Sequence, residues 1–273
     1  MTDRYGVMGY PVVQSRSPVI HRLFAAQTRQ DLQYELLQVK PEHLTEAIDQ
    51  FARTGGKGLN VTVPHKQAVV SLCDSLGERA RIAGAVNTIS FEGGLISGDN
   101  TDGVGLMRDL TVNLGLRLTG RNILVLGAGG ATRGIINPLL DAKPSRLYIA
   151  NRTLSRAEEL VDAFASYGPV WACEFNDVPS SEPFDLVINA TSAGYKGEAP
   201  PYPSEAVSAK TFCYDLSYGL KATPFSAWAK EAGAARSVMG WGMLVEQAAE
   251  SFAIWRGIRP DTAPVLKQML INA

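Results

Sequence analysis

Apolar and polar residues alternate in "GLNVTV", with Leu59, Val61 and Val63 on one side and Asn60 and Thr62 on the other. That alternation predicts a strand, which ends at Pro64 because proline has no N–H to donate to a ladder. The same reading of residues 5–101 gives strands and helices in turn. "YGVM" and "LQYELLQV" read as strands. "SPVIHRLFAAQT" reads as a helix with Ser17 as N-cap and Pro18 at the first helical position. "PEHLTEAIDQFART" reads as a helix closed by Gly55 and Gly56, and a short helix begins at Lys66. "AVNTISFEGGLISG" predicts a hairpin with Gly93 and Gly94 at its turn.

The segment "GVGLMRDLTVNLG" carries Val104, Met107, Leu110 and Leu114 at helical spacing. Beyond Gly120 the pattern changes to continuous apolar runs. "NILVLGAGG", "SRLYIANR", "PVWACEF", "FDLVINAT" and "TFCYDLSY" read as strands. "ATRGIINPLLDA" and "LSRAEELVDAFAS" read as helices between them. Apolar strands alternating with helices imply a parallel sheet covered on both faces. The tail, "WGMLVEQAAESFAIWRG" and "APVLKQMLI", is helical and is expected to pack back on the first lobe. The expected architecture is α/β in two lobes. Residues 1–103 form an N-terminal α/β lobe joined by helices at 241–273, and residues 104–240 form a Rossmann-type dinucleotide lobe.

Composition narrows the choice of ligand. The 273 residues are 45% hydrophobic and 19% charged, with a net charge of −1. This is a globular balance with no basic excess for nucleic acid, so a charged ligand must be met by a few local groups. Cys73, Cys173 and Cys213 are widely spaced, and no CxxC occurs, which argues against a disulfide framework or a zinc site. His21, His43 and His65 show no metal-ligand spacing. No apolar run approaches the roughly 18 residues of a membrane span. The expected setting is the cytoplasm, and the expected partner is a small molecule rather than nucleic acid or membrane.

"VLGAGGATRG" lies between a predicted strand and helix, the context in which a glycine-rich turn binds a pyrophosphate. Gly127 allows the tight turn and Gly129 the close approach of backbone to ligand. Gly130 and Ala131 supply small residues, and Thr132 stands where the fingerprint has its third glycine. A turn without a ligand is the alternative. The next strand ends in "ANRTLSRA", with no acid to meet the ribose 2′-hydroxyl of NAD. Arg152 and Arg156 fit a 2′-phosphate instead, which favours NADP(H); a solvated basic helix start is the alternative.

In the first lobe, Asn60, Thr62 and Lys66 lie near the end of one strand, the edge where α/β sheets bind ligands. Taken alone, Lys66 also reads as a surface lysine. Ser15 and Ser17 stand just before a helix, where hydroxyls and free amides hold a carboxylate, although Ser17 also serves as a plain N-cap. Asp102 in "GDNTDG" and Asn87 in "AVNTI" have the same two readings, ligand group or local cap and turn.

Taken in order, "SRSP", "NVTVPHK", "GAVNT", "GDNTDG", "GAGGA", "NRTLSRA" and "GWGMLVEQAA" resemble the shikimate dehydrogenase family over nearly the whole chain. The resemblance implies NADPH-dependent, reversible reduction of 3-dehydroshikimate to shikimate in aromatic amino acid biosynthesis. It implies Lys66 and Asp102 as the catalytic pair. Ser15, Ser17, Asn60, Thr62, Asn87, Tyr218 and Gln247 match substrate contacts. Gly127, Ala128, Gly129, Gly130 and Ala131, with Asn151, Arg152, Thr153 and Arg156, match the NADP site. Leu216, Gly240 and Thr191 match its nicotinamide end. The alternatives are a quinate/shikimate dehydrogenase using NAD and a non-catalytic sensor binding a dinucleotide and a metabolite. The oligomeric state stays open between monomer and homodimer.

Overall fold

The computed structural model describes residues 2–179, 181–191, 201–219 and 223–271. Residues 195–200 of the proline-rich stretch "YKGEAPPYP" lie outside the described residues. The chain divides into two compact units, Met1–Leu106 with Leu244–Gln268, and Met107–Met243 with Met269–Ala273. No described helix is long and apolar enough to cross a membrane.

The first unit is built on β1 (Asp3–Gly9), α1 (Ser17–Thr28), β2 (Leu32–Gln38), α2 (Leu44–Arg53), β3 (Gly56–Val61), β4 (Ser75–Leu76), α3 (Glu78–Ala83), β5 (Thr88–Glu92) and β6 (Leu95–Asp99). Its mixed sheet has the order β2-β1-β3-β5-β6-β4. β1 runs parallel to β2 and β3, while β5 runs antiparallel to β3 and β6. The β5–β6 hairpin turns through Gly93 and Gly94, both at positive φ (59° and 82°), as expected.

The alternation of β3 separates two covered faces. Leu59 and Val61 pack with Met8 and with Leu44, Ile48 and Phe51 around α2. Gly58 and Asn60 meet α8 (Trp241–Arg256). A Cβ on Gly58 would stand 2.4 Å from the Trp255 indole nitrogen, which donates to the Ile89 carbonyl at 3.1 Å. The polar face of the strand is therefore sealed by a helix from the far end of the chain. The strand ends at Val61, before the expected Val63, and Val63 is exposed.

His21 belongs to the core of this unit. It is fully buried and stacks on Tyr34 at 4.1 Å, with Phe24, Phe252 and Trp255 around it. Among the described residues neither ring nitrogen makes a hydrogen bond of ordinary geometry. Burial, opposed by the nearby Asn60 amide, pushes its pKa down to about 3. The unfolded chain then takes up a proton near pH 6.5 that the folded chain refuses until about pH 3. The folded state is favoured above the unfolded pKa and loses stability as pH falls through this window. Between pH 7 and pH 4 the loss from this one group is about 3 kcal/mol. Urea unfolding of the protein and of His21→Phe at both pH values measures it, since the variant keeps the ring but not the titration. Equal losses in the two proteins would remove His21 as the cause.

α4 (Asp102–Arg108) passes into a π turn over Asp109–Asn113, where the Leu114 N–H reaches the Asp109 carbonyl at 2.9 Å. The expected helix is thus wider at its end. The Thr111 hydroxyl donates to the Met107 carbonyl (2.7 Å), a side-chain bond that competes with the regular ladder. The second unit continues with β7 (Asn122–Leu126), α5 (Gly130–Asp141), β8 (Arg146–Ala150), α6 (Leu154–Phe164), β9 (Val170–Cys173), β10 (Leu186–Asn189), β11 (Phe212–Asp215), α7 (Pro224–Glu231) and β12 (Arg236–Met239). Its strands are all parallel in the order β12-β11-β10-β7-β8-β9, the doubly wound arrangement whose order reverses beside β7. β7 and β10 are buried almost throughout, as their continuous apolar runs predict. α7 and β12 carry no expectation from the sequence. β12 is a short edge strand with a polar start, and α7 depends on Thr223, whose hydroxyl caps it by accepting from the Ser226 N–H (3.1 Å). α9 (Thr262–Ile271) closes the described chain.

Candidate active site

Lys66 does not begin a helix. It sits in a turn between β3 and a 3₁₀ segment over Ala68–Leu72. The turn is held from both sides. The Lys66 carbonyl accepts from the Val86 N–H (2.7 Å), and the buried His65 ring lies 2.7 Å from the Val39 carbonyl through Nε2. A fixed backbone aims the Lys66 side chain at Asp102, where Nζ donates to Oδ2 at 2.5 Å. The two side chains are only 11% and 5% exposed, so water screens this pair weakly.

Asp102 opens α4 but does not cap it. Asn100 takes that part, its Oδ1 accepting the Asp102 N–H at 3.1 Å. The Asp102 carboxylate is thereby free for the site, and its Oδ1 accepts from Asn87 Nδ2 at 2.9 Å. Asn87 Nδ2 also lies 2.8 Å from the Thr101 hydroxyl and 3.3 Å from Gln247 Oε1 on α8. Asn87 Oδ1 accepts from the Thr101 N–H (2.8 Å) and the Thr88 hydroxyl (2.9 Å). Lys66, Asp102, Asn87 and Gln247 thus form one hydrogen-bonded group from four stretches of the chain.

Asn60 lies beneath this group rather than within it. Its Oδ1 accepts from the Tyr34 hydroxyl (2.7 Å). Its Nδ2 faces the Ser251 hydroxyl (2.9 Å), the Thr88 hydroxyl (3.1 Å) and the Asn87 carbonyl (3.2 Å). Two amide hydrogens meet three protein acceptors, so the donor side of Asn60 is committed inside the fold. Asn60 and Thr88 stand directly opposite each other on β3 and β5. Tyr34 and Ser251 carry no signal in the sequence, whereas Thr88 closes "GAVNT" and Thr101 lies in "GDNTDG".

Ser15 and Ser17 come together at the start of α1, with hydroxyl oxygens 3.1 Å apart. Ser17 is the first residue of the helix rather than its N-cap, and Ser15 accepts the Ser17 N–H at 3.3 Å. Thr62 is half-buried just past β3. Tyr218 belongs to the second unit, its ring 4.9 Å from that of Trp241.

The glycine turn has the form a pyrophosphate needs. Gly127 has φ of +106°, and a Cβ there would stand 3.1 Å from the Ala190 carbonyl carbon and the Thr191 nitrogen. Gly129 is the N-cap of α5 and has open space where a Cβ would be. Gly130 and Ala131 form the first turn of α5, whose N–H groups and dipole favour an anion, with Ala128 in the loop before them. Thr132 explains the departure from the glycine fingerprint: fully buried, it donates to the Gly127 carbonyl at 2.8 Å and ties the turn to the helix. At the end of β8 the Asn151 amide donates to the Thr153 carbonyl (2.8 Å), which shapes the loop carrying Arg152. Arg152 and Arg156 are exposed, and among the described residues neither has a carboxylate partner. These residues fit NADP(H). Thr191, Leu216 and Gly240 follow the ends of β10, β11 and β12, and the Leu216 N–H donates to the Asn189 carbonyl at 2.9 Å.

The family described as shikimate dehydrogenase substrate binding domain matches residues 7–89. Shikimate / quinate 5-dehydrogenase matches residues 110–196, and shikimate 5'-dehydrogenase C-terminal domain matches residues 240–270. A shikimate dehydrogenase (NADP(+)) of Alkalilimnicola ehrlichii is 54% identical over 97% of this chain and 98% of its own. One from Methylococcus capsulatus is 51% identical over 98% and 96%. Among solved structures, an Ael1 enzyme from Pseudomonas putida is 43% identical with a TM-score of 0.89, covering 98% of each chain. A shikimate 5-dehydrogenase from Thermus thermophilus, in complex with NADP(H) and shikimate, is 30% identical with a TM-score of 0.85, over 97% of this chain and 98% of its own. The chain belongs to the shikimate dehydrogenase family.

Proposed function

We propose that this chain reduces 3-dehydroshikimate reversibly to shikimate with NADPH, the first unit holding the substrate and the second the cofactor. The observation that carries the reading is the 2.5 Å contact of Lys66 with Asp102, beside Asn87 and Gln247. When bound, NADPH supplies the hydride. Lys66 Nζ, a donor held at 2.5 Å by Asp102, supplies the proton to the ketone oxygen as negative charge grows there. In the reverse direction it takes the proton back. Asp102 holds the ammonium in place and shares the neighbouring ring hydroxyl with Asn87 and Gln247. Ser15 and Ser17 bind the ring carboxylate, with Thr62 as a further substrate contact in the same unit. Asn60 acts by supporting Asn87. Gly127 to Ala131 cradle the pyrophosphate, and Asn151 to Arg156 take the adenosine end with its 2′-phosphate. The biosynthetic reaction and three unpaired cysteines favour the cytoplasm.

A rate matrix of shikimate and quinate against NADP+ and NAD+ tests the activity; folded protein with no turnover in any of the four rejects it. Arg152→Ala tests the phosphate contact. It is expected to raise KM for NADPH by about tenfold, the worth of a charge-assisted hydrogen bond, with a smaller effect for NADH. Equal changes for the two cofactors would sink the 2′-phosphate role.

A further inference from the structure

Asp215 ends β11 with its side chain fully buried, and among the described residues no cation pairs with it. A lone carboxylate in such a place is costly unless donors surround it. Three do. Oδ1 accepts from Asn189 Nδ2 (2.9 Å) and the Ser217 N–H (3.0 Å), and Oδ2 accepts from the Thr223 hydroxyl (2.5 Å). Burial still holds its pKa above the ordinary carboxylate range, against the pull of these bonds.

Two of these donors lead on to other strand ends of the second unit. With its Nδ2 held, Asn189 presents Oδ1 to the Thr191 N–H (3.2 Å) and hydroxyl (2.7 Å). With its N–H held, Ser217 turns its carbonyl to the Gly240 N–H at 3.0 Å. Gly240 lies so close that a Cβ would stand 2.7 Å from the Leu216 carbonyl oxygen. One carboxylate therefore organises Thr191, Leu216 and Gly240, which come from three different strand ends.

We propose that Asp215 is a positioning residue for the nicotinamide end of the cofactor site, touching no reacting atom but holding Thr191, Leu216 and Gly240 in register. This rests on the NADPH reading given above. A carboxylate that merely supported the fold would change stability and leave the two substrates' constants alike.

The test is Asp215→Asn in the full chain, which keeps the shape but replaces one acceptor with an NH₂ group. KM for NADPH is expected to rise about tenfold, as when a buried donor is left unmatched. Calorimetric binding of shikimate alone should stay within about twofold, because the first unit contains none of these contacts. An unchanged KM for NADPH in folded variant overturns the proposal, as does an equal loss of shikimate binding. If the variant does not fold, Thr223→Val removes one donor. It should raise KM for NADPH about threefold, with Thr223→Ser restoring it, and no rise overturns the proposal. Parent protein that turns over neither cofactor rejects the activity instead, which keeps the two failures apart.

Discussion

Lys66→Ala is expected to lower turnover of 3-dehydroshikimate by about 10²–10⁴-fold, the usual contribution of a positioned acid–base group. The turn around Lys66 is held by backbone and by His65, so alanine removes the ammonium without releasing the main chain. Shikimate binding is expected to persist, since Asn87 and Gln247 stay hydrogen-bonded without the lysine. The measurement is kcat beside a calorimetric Kd for shikimate. Lys66→Arg should not restore turnover, because a guanidinium keeps its proton at working pH. Near-parent kcat in the alanine variant would take Lys66 out of the chemistry.

The second large effect belongs to Asp102. Its two oxygens accept from different donors, Lys66 Nζ and Asn87 Nδ2. An asparagine has only one carbonyl oxygen. Either way round, its NH₂ group faces the lysine ammonium or the Asn87 amide. Asp102→Asn is thus expected to lower kcat/KM for shikimate by about 10²–10³-fold, in line with breaking a buried charge pair. KM for NADPH should hardly move. A variant with kcat/KM close to the parent would show that Lys66 needs no partner. A large rise in the NADPH constant would show that the carboxylate acts elsewhere.

Local sequence carried much of this. The strand–turn–helix at Gly127, the paired glycines at 93 and 94, and the alternation of β3 each report on neighbours a few residues away. What they missed lies in tertiary partners. Asn60 read as a ligand-facing amide because its side of β3 is polar. That side is polar because it meets Ser251, 191 residues later, and Tyr34 on β2. Asp102 taken alone reads equally as ligand group or cap, because it begins a helix, and nothing local says that Asn100 accepts its N–H and leaves the carboxylate free. Asp215 showed no signal at all, being one acid at the end of an apolar strand. Its meaning appears only when Asn189 and Thr223 arrive beside it. Periodicity tells which face is covered, but not by what.

The first unit is stitched from both ends of the sequence: Asn60 bonds Ser251 across 191 residues, and Arg256 bonds Asp3 across 253. During synthesis the nascent chain cannot close this layer until α8 has left the ribosome. The second unit is nearly all one unbroken stretch, and its last strand, β12, ends at Met239, just before α8 begins. The first unit thus waits on the far end of the chain for its last layer. Until then its unsealed polar strand and the Tyr5 and Tyr34 rings that Trp255 later covers are open to chaperones and proteases.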